Sequence, residues 1–165
     1  MKPKIEVVSR ELIKVHGVTV NYDQTPAEAI EGLPHNNSLI ATDYPQGLWN
    51  GGKSGKAEEV TIPICIPRRW FTTEEGRQLQ SEIGFGNPAE LAALKGEDVR
   101  QALYEENIWW VVSLREKDKE LLLVPDGNRR PVYLDLCPCC RGFSLGYASD
   151  GWDDFIALVG SPQVV

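Results

Sequence analysis

The sequence predicts an α+β domain, with an antiparallel sheet built mainly from residues 108–160 plus N-terminal strands, and short capped helices packed on one face. Three observations predict it. Ile108-Trp-Trp-Val-Val-Ser-Leu114 carries no charge and mixes β-branched with aromatic side chains, which suit a buried pleated surface. After it the apolar residues fall into short runs separated by turn residues, so consecutive strands pair antiparallel. Before it, Ser/Thr/Asn caps followed by Glu three residues on mark several short helices.

In chain order, Ile5–Val8, Leu12–Val15 and Val18–Asn21 read as strands, with Gly17 a turn or bulge. Thr25-Pro-Ala-Glu28 is a capping box with proline at the first helical position, and Gly32 and Pro34 end that helix. Residues 34–56 are rich in Gly, Asn and Pro and read as one long loop. Val60–Ile66 alternates as a strand, and Pro63 points to a sheet edge or a bulge, since proline cannot donate to a ladder. Thr72 and Glu75 open a helix to about Ile83; Asn87 and Glu90 open another; Asp98–Glu106 forms a further helical segment. Leu121–Val124, Pro131–Leu136, Phe143–Tyr147 and Phe155–Val159 supply the later strands, with turns at Pro125–Asn128 and Ser149–Gly151. The segments Asn87–Leu94 and Asp153–Val159 resemble those of small bacterial proteins of unknown function, a resemblance that implies no activity.

A chain of 165 residues with 42% apolar and 25% charged residues fits a single globular domain, 1–165. Its 24 acidic and 17 basic residues give a net charge of −7, which speaks against nucleic acid as a partner. The first residues lack the apolar core of a signal peptide and no window is apolar enough to span a membrane, so the expected location is cytoplasmic. In that compartment the four cysteines stay reduced.

Cys137-Pro-Cys-Cys140-Arg-Gly142 is the first chemical lead. Cys137 and Cys140 stand in C-x-x-C spacing between two strands, as in a zinc knuckle, where a sharp turn lets two thiolates reach one ion. A structural zinc needs four ligands, and there is no second C-x-x-C. Cys139 is a third metal candidate; Cys65, His16, His35 or a second subunit would complete the set. The alternative is that the cysteines are small packing residues. The second lead, Gly47–Ser54, satisfies the phosphate-loop pattern G-x-x-x-x-G-K-S but lacks the strand before it and the long helix after it that a nucleotide-binding enzyme needs. With two histidines and no nucleophile elbow, no catalytic constellation emerges. The remaining feature is tryptophan. Trp49, Trp70 and Trp110 are the expected partner-binding residues of a small interaction module, its partner another protein or a second copy of itself. Zinc is the one cofactor the sequence suggests.

Overall fold

The computed structural model describes residues 2–148 and 151–163. In chain order the elements are β1 (Lys4–Ser9), β2 (Leu12–Asn21), α1 (Pro26–Ile30), α2 (Ser38–Asp43), α3 (Gln46–Asn50) and β3 (Lys56–Cys65). There follow β4 (Phe71–Thr72), α4 (Thr73–Ile83), α5 (Pro88–Ala92), α6 (Glu97–Glu105) and β5 (Trp110–Ser113). The last third adds β6 (Leu122–Leu123), β7 (Arg129–Arg130), β8 (Val132–Asp135), β9 (Gly142–Leu145), β10 (Gly151–Trp152) and β11 (Ile156–Val159). The fold is α+β, as its sequence predicts. The first two residues of the expected turn at Ser149–Gly151 lie outside the described residues.

Seven strands form one sheet in the order β1-β2-β3-β11-β5-β8-β9. Every pair is antiparallel except β11 with β5. The expected meander therefore holds for β5, β8 and β9, but the last strand returns to the middle of the sheet. Ile156-Ala-Leu-Val159 is buried at all four positions, and a strand apolar on both sides belongs where both faces are covered. Pro63 is a second departure from expectation, because β3 is a central strand. Its carbonyl accepts the Gly160 N–H at 2.8 Å, just past the end of the β11 ladder. The missing proline N–H faces that same side, where the chain leaves the ladder at Gly160 and meets β3 again at the isolated Thr61–Gln163 bridge.

The sheet is covered on both faces, not one. On the first face Ile62, Ile64, Val111, Leu134, Phe143 and Ala157 pack against Ile30, Ile40, Leu91, Leu94 and Leu103 from α1, α2 and the α5–α6 region. On the second, Val112, Ile156 and Leu158 meet Phe71, Trp152 and Leu79, so α4 and the β4–β10 ribbon form the other layer. Gly76 allows that approach, since a Cβ there would stand 2.6 Å from Leu114 Cδ1 and 2.9 Å from the Phe71 ring. The three capping boxes at Thr25, Thr72 and Asn87 are all formed.

Residues 34–56 are not a continuous loop. The Asn37 side chain accepts the Leu39 N–H to start α2, and Gly51, at φ 65°, ends α3 in the left-handed conformation that glycine takes at little cost. These helices have six and five residues, too few for an apolar period to be read. They bury Trp49 completely, edge-on to Tyr44 at 5.3 Å and to Phe143 at 6.2 Å. Trp49 is a core residue, and its place among the partner-binding residues is corrected. The phosphate-loop pattern, whose context is missing in the sequence, lacks it in the fold as well. Gly47–Asn50 lies within α3 and β3 starts at Lys56, so no helix N-terminus follows Lys53. Lys53 Nζ instead binds the buried Glu90 carboxylate at 2.8 Å.

Candidate metal centre

The knuckle begins where β8 ends. Asp135 Oδ1 accepts the Cys137 N–H at 3.0 Å, and the Cys140 N–H donates to the Cys137 carbonyl at 3.0 Å. The first bond is an Asx turn and the second closes a four-residue turn with Pro138 at its second position, where its fixed φ fits. This double bend gathers the three thiols on the outside of the turn. The sulfurs of Cys137 and Cys139 are 3.1 Å apart, those of Cys139 and Cys140 are 3.3 Å apart, and all three lie within 4.8 Å of one another. Thiolates bound about 2.3 Å from one tetrahedral zinc stand about 3.8 Å apart, so only a small outward movement separates this cluster from a ligand set. Among the described residues no histidine nitrogen or carboxylate oxygen joins the group.

The thiols do not share their protons evenly. The Cys139 thiol and then its backbone N–H hold the Cys137 thiol below the ordinary cysteine range. Cys139, whose proton serves Cys137 and Cys140, is pushed up to about 12. The nearby Tyr104 phenol is raised, chiefly by the charge on Cys137. Cys137 is thus the thiol of this pair that gives up its proton first, while Cys139 retains its own.

Positive charge is arranged around the turn. Arg100 donates to the Leu136 carbonyl at 2.6 Å and to both Glu97 oxygens, at 2.9 and 2.7 Å. Arg141 reaches Glu97 Oε2 at 2.6 Å. Glu97 is held at about 2, first by Arg100 and also by Arg141. Two guanidiniums share one carboxylate beside three thiols, an arrangement that offsets the charge of a multiple thiolate.

A strap crosses the outer edge of β9 next to the knuckle. The His35 N–H donates to the Arg141 carbonyl at 3.0 Å, the Asn37 N–H to the Phe143 carbonyl at 2.8 Å, and the Phe143 N–H to Asn36 Oδ1 at 2.9 Å. Gly142 permits the crossing, since a Cβ on it would run into the His35 carbonyl. The strap covers an otherwise open sheet edge.

The other sequence candidates lie elsewhere. Cys65 pairs with Leu158 and Leu12 in the sheet, and burial pushes its thiol up to about 11, so it serves as a packing residue. His16 is held on both ring nitrogens, by Thr61 Oγ1 at 2.8 Å and Glu6 Oε1 at 2.7 Å, near the opposite sheet edge. Trp70 is 59% exposed, and Trp110 stacks on Tyr133 with ring centroids 4.1 Å apart. With Tyr147 and Trp152 they border a cleft of about 430 Å³. Trp110 lies opposite Asp135 in the β5–β8 ladder, and burial raises that half-buried carboxyl, so cleft and knuckle border one carboxyl group. Trp109 is exposed and stacked on Phe155 at 4.4 Å.

The parts missed by sequence reasoning are Asp135, Arg100, Tyr104 and Glu97. Asp135 had a local signal, being two residues before Cys137, the spacing of an Asx turn. Arg100 and Tyr104 had only their one-turn spacing on α6, which does not reveal what they face. No protein-family model, curated protein or solved structure matches this chain. Among the described residues no helix is long and apolar enough to cross a membrane.

Proposed function

We propose that the chain is a small metal-binding module that holds one zinc ion on Cys137, Cys139 and Cys140. The observation that carries this reading is the convergence of three sulfurs within 4.8 Å on a turn whose backbone is fixed at both ends. An all-sulfur donor set selects a thiophilic ion over magnesium or calcium. The flanking Arg100 and Arg141 guanidiniums favour loading. A reducing cytoplasm would keep the thiols available, and the reading assigns binding, with no reaction. Anaerobic titration of the reduced protein with zinc against a chromophoric chelator tests it. One equivalent should bind and release protons, and Cys140→Ser should weaken binding by more than about 100-fold, since even outer-shell partners are worth about 10–100-fold. Failure of the reduced protein to compete with the chelator would overturn it.

A second reading rests on a separate observation, the exposed Trp70 beside the half-buried Trp110–Tyr133 stack. Tryptophan and tyrosine are the residues that anchor protein interfaces. In this reading the cleft seats a protein partner or a second copy of the chain. A concentration-dependent mass measured with the fluorescence of Trp70→Ala and Trp110→Phe variants tests self-association. A constant monomer mass with unchanged emission removes the homo-oligomer.

A further inference from the structure

Zinc in a closed structural site takes four ligands, and the described residues bring three sulfurs together. The fourth must be water, a donor from another molecule, or a group of this chain that moves. Most nearby donors are engaged. Glu97 is bound by Arg100 and Arg141, and Asp135 accepts the Cys137 N–H. Cys65 and His16 are fixed in other parts of the sheet. His35 is the exception. Its backbone is tied to the Arg141 carbonyl, one residue beyond Cys140, while its side chain is exposed.

Resting on the metal-site reading above, we infer that His35 supplies the fourth ligand, its imidazole swinging onto the knuckle to close a Cys₃His tetrahedron with Cys137, Cys139 and Cys140. The strap brings the His35 backbone beside the knuckle and Gly142 permits that approach, so closure asks the exposed imidazole to turn toward the thiols. An exposed imidazole rotates between staggered positions without disturbing packing. The strap is thereby more than an edge cover. It couples metal loading to the segment that leads into α2.

The test compares zinc affinity and the visible spectrum of the cobalt(II)-substituted protein for the wild type, His35→Ala and His35→Cys, with mass measured before and after metal addition. The expected result is a monomeric wild type with a three-sulfur, one-nitrogen cobalt spectrum. His35→Ala should bind more than about 100-fold more weakly, beyond the range of outer-shell changes. His35→Cys should recover tight binding with a four-sulfur spectrum. Zinc affinity within threefold of wild type in His35→Ala would overturn the inference while leaving the three-cysteine site standing. So would a doubling of mass on metal addition, which assigns the fourth ligand to a second chain. A loss in His35→Ala that His35→Cys does not repair would also overturn it. A wild type that binds neither ion overturns the metal-site reading itself.

Discussion

Replacing Glu90 by alanine removes the acceptor at the centre of a buried polar cluster in which one carboxylate holds three donors. Glu90 is fully buried; its Oε1 accepts the Asn87 N–H at 2.8 Å, and its Oε2 accepts the Tyr22 hydroxyl at 2.6 Å and Lys53 Nζ at 2.8 Å. Asn87 and Tyr22 are 3% and 5% exposed, so water cannot replace the lost acceptor for either. Each buried donor left unpaired costs about 1–3 kcal/mol. The Lys53 side chain is half-exposed and turns to solvent, so it adds little. The expected loss for Glu90→Ala is therefore about 3–5 kcal/mol, while Glu90→Gln, which keeps an acceptor for the cap N–H, should lose about 1–2 kcal/mol. Equilibrium urea unfolding followed by tryptophan emission measures both, with unchanged m-values as the condition for comparison. A loss below about 1 kcal/mol for Glu90→Ala would refute the claim that this carboxylate joins α5 to β2 and to the turn after α3.

Other expectations follow from the same contacts. Gly142→Ala should displace the strap, costing about 2–4 kcal/mol for overpacking and lost hydrogen bonds, and should weaken zinc binding in a chelator competition. Trp49→Ala should cost about 3–5 kcal/mol in urea unfolding, as a fully buried aromatic does, whereas Trp70→Ala should stay within about 0.5 kcal/mol. Lys53→Ala should leave the protein as unable to retain nucleotide in equilibrium dialysis as the wild type, since no helix follows the loop to receive phosphate. Glu97 should titrate near 2 by carbon NMR of its carboxyl, well below the ordinary value of about 4.3. Its folded-state value is depressed, so its stabilisation is present above about pH 4 and is lost as the pH falls through about 2. A midpoint at or above the ordinary value would mean that the Arg100 and Arg141 pairs do not persist in solution.

The punctuation of the chain was legible because its signals are local. Thr25, Thr72 and Asn87 cap the helices they announce, since a side chain and an N–H three residues apart need no tertiary information. The destination of β11 was not legible in the same way. Its four buried residues announce a central strand, but which strands it joins depends on the route after β9. Trp49 illustrates a second limit. In a Gly/Asn-rich stretch it reads as exposed, yet Asn37 and Pro45 start helices too short to show a period, and those helices carry it into the core. At the candidate site, the turn and its thiols were readable from Cys137-Pro-Cys-Cys140. The company they keep was not, because Arg100 and Tyr104 arrive from α6, 33 or more positions earlier in the chain, and His35 stood only as one of several candidates to complete the set.

The most direct test of the metal centre is the zinc-to-protein ratio of the untagged protein purified without chelators, with reactive thiols counted on the same sample. The account predicts one zinc per chain and at most one freely titrating thiol, Cys65, with Cys137, Cys139 and Cys140 protected until a chelator is added. Metal-free protein whose cluster thiols react at once, and which takes up no zinc when it is supplied, would contradict it.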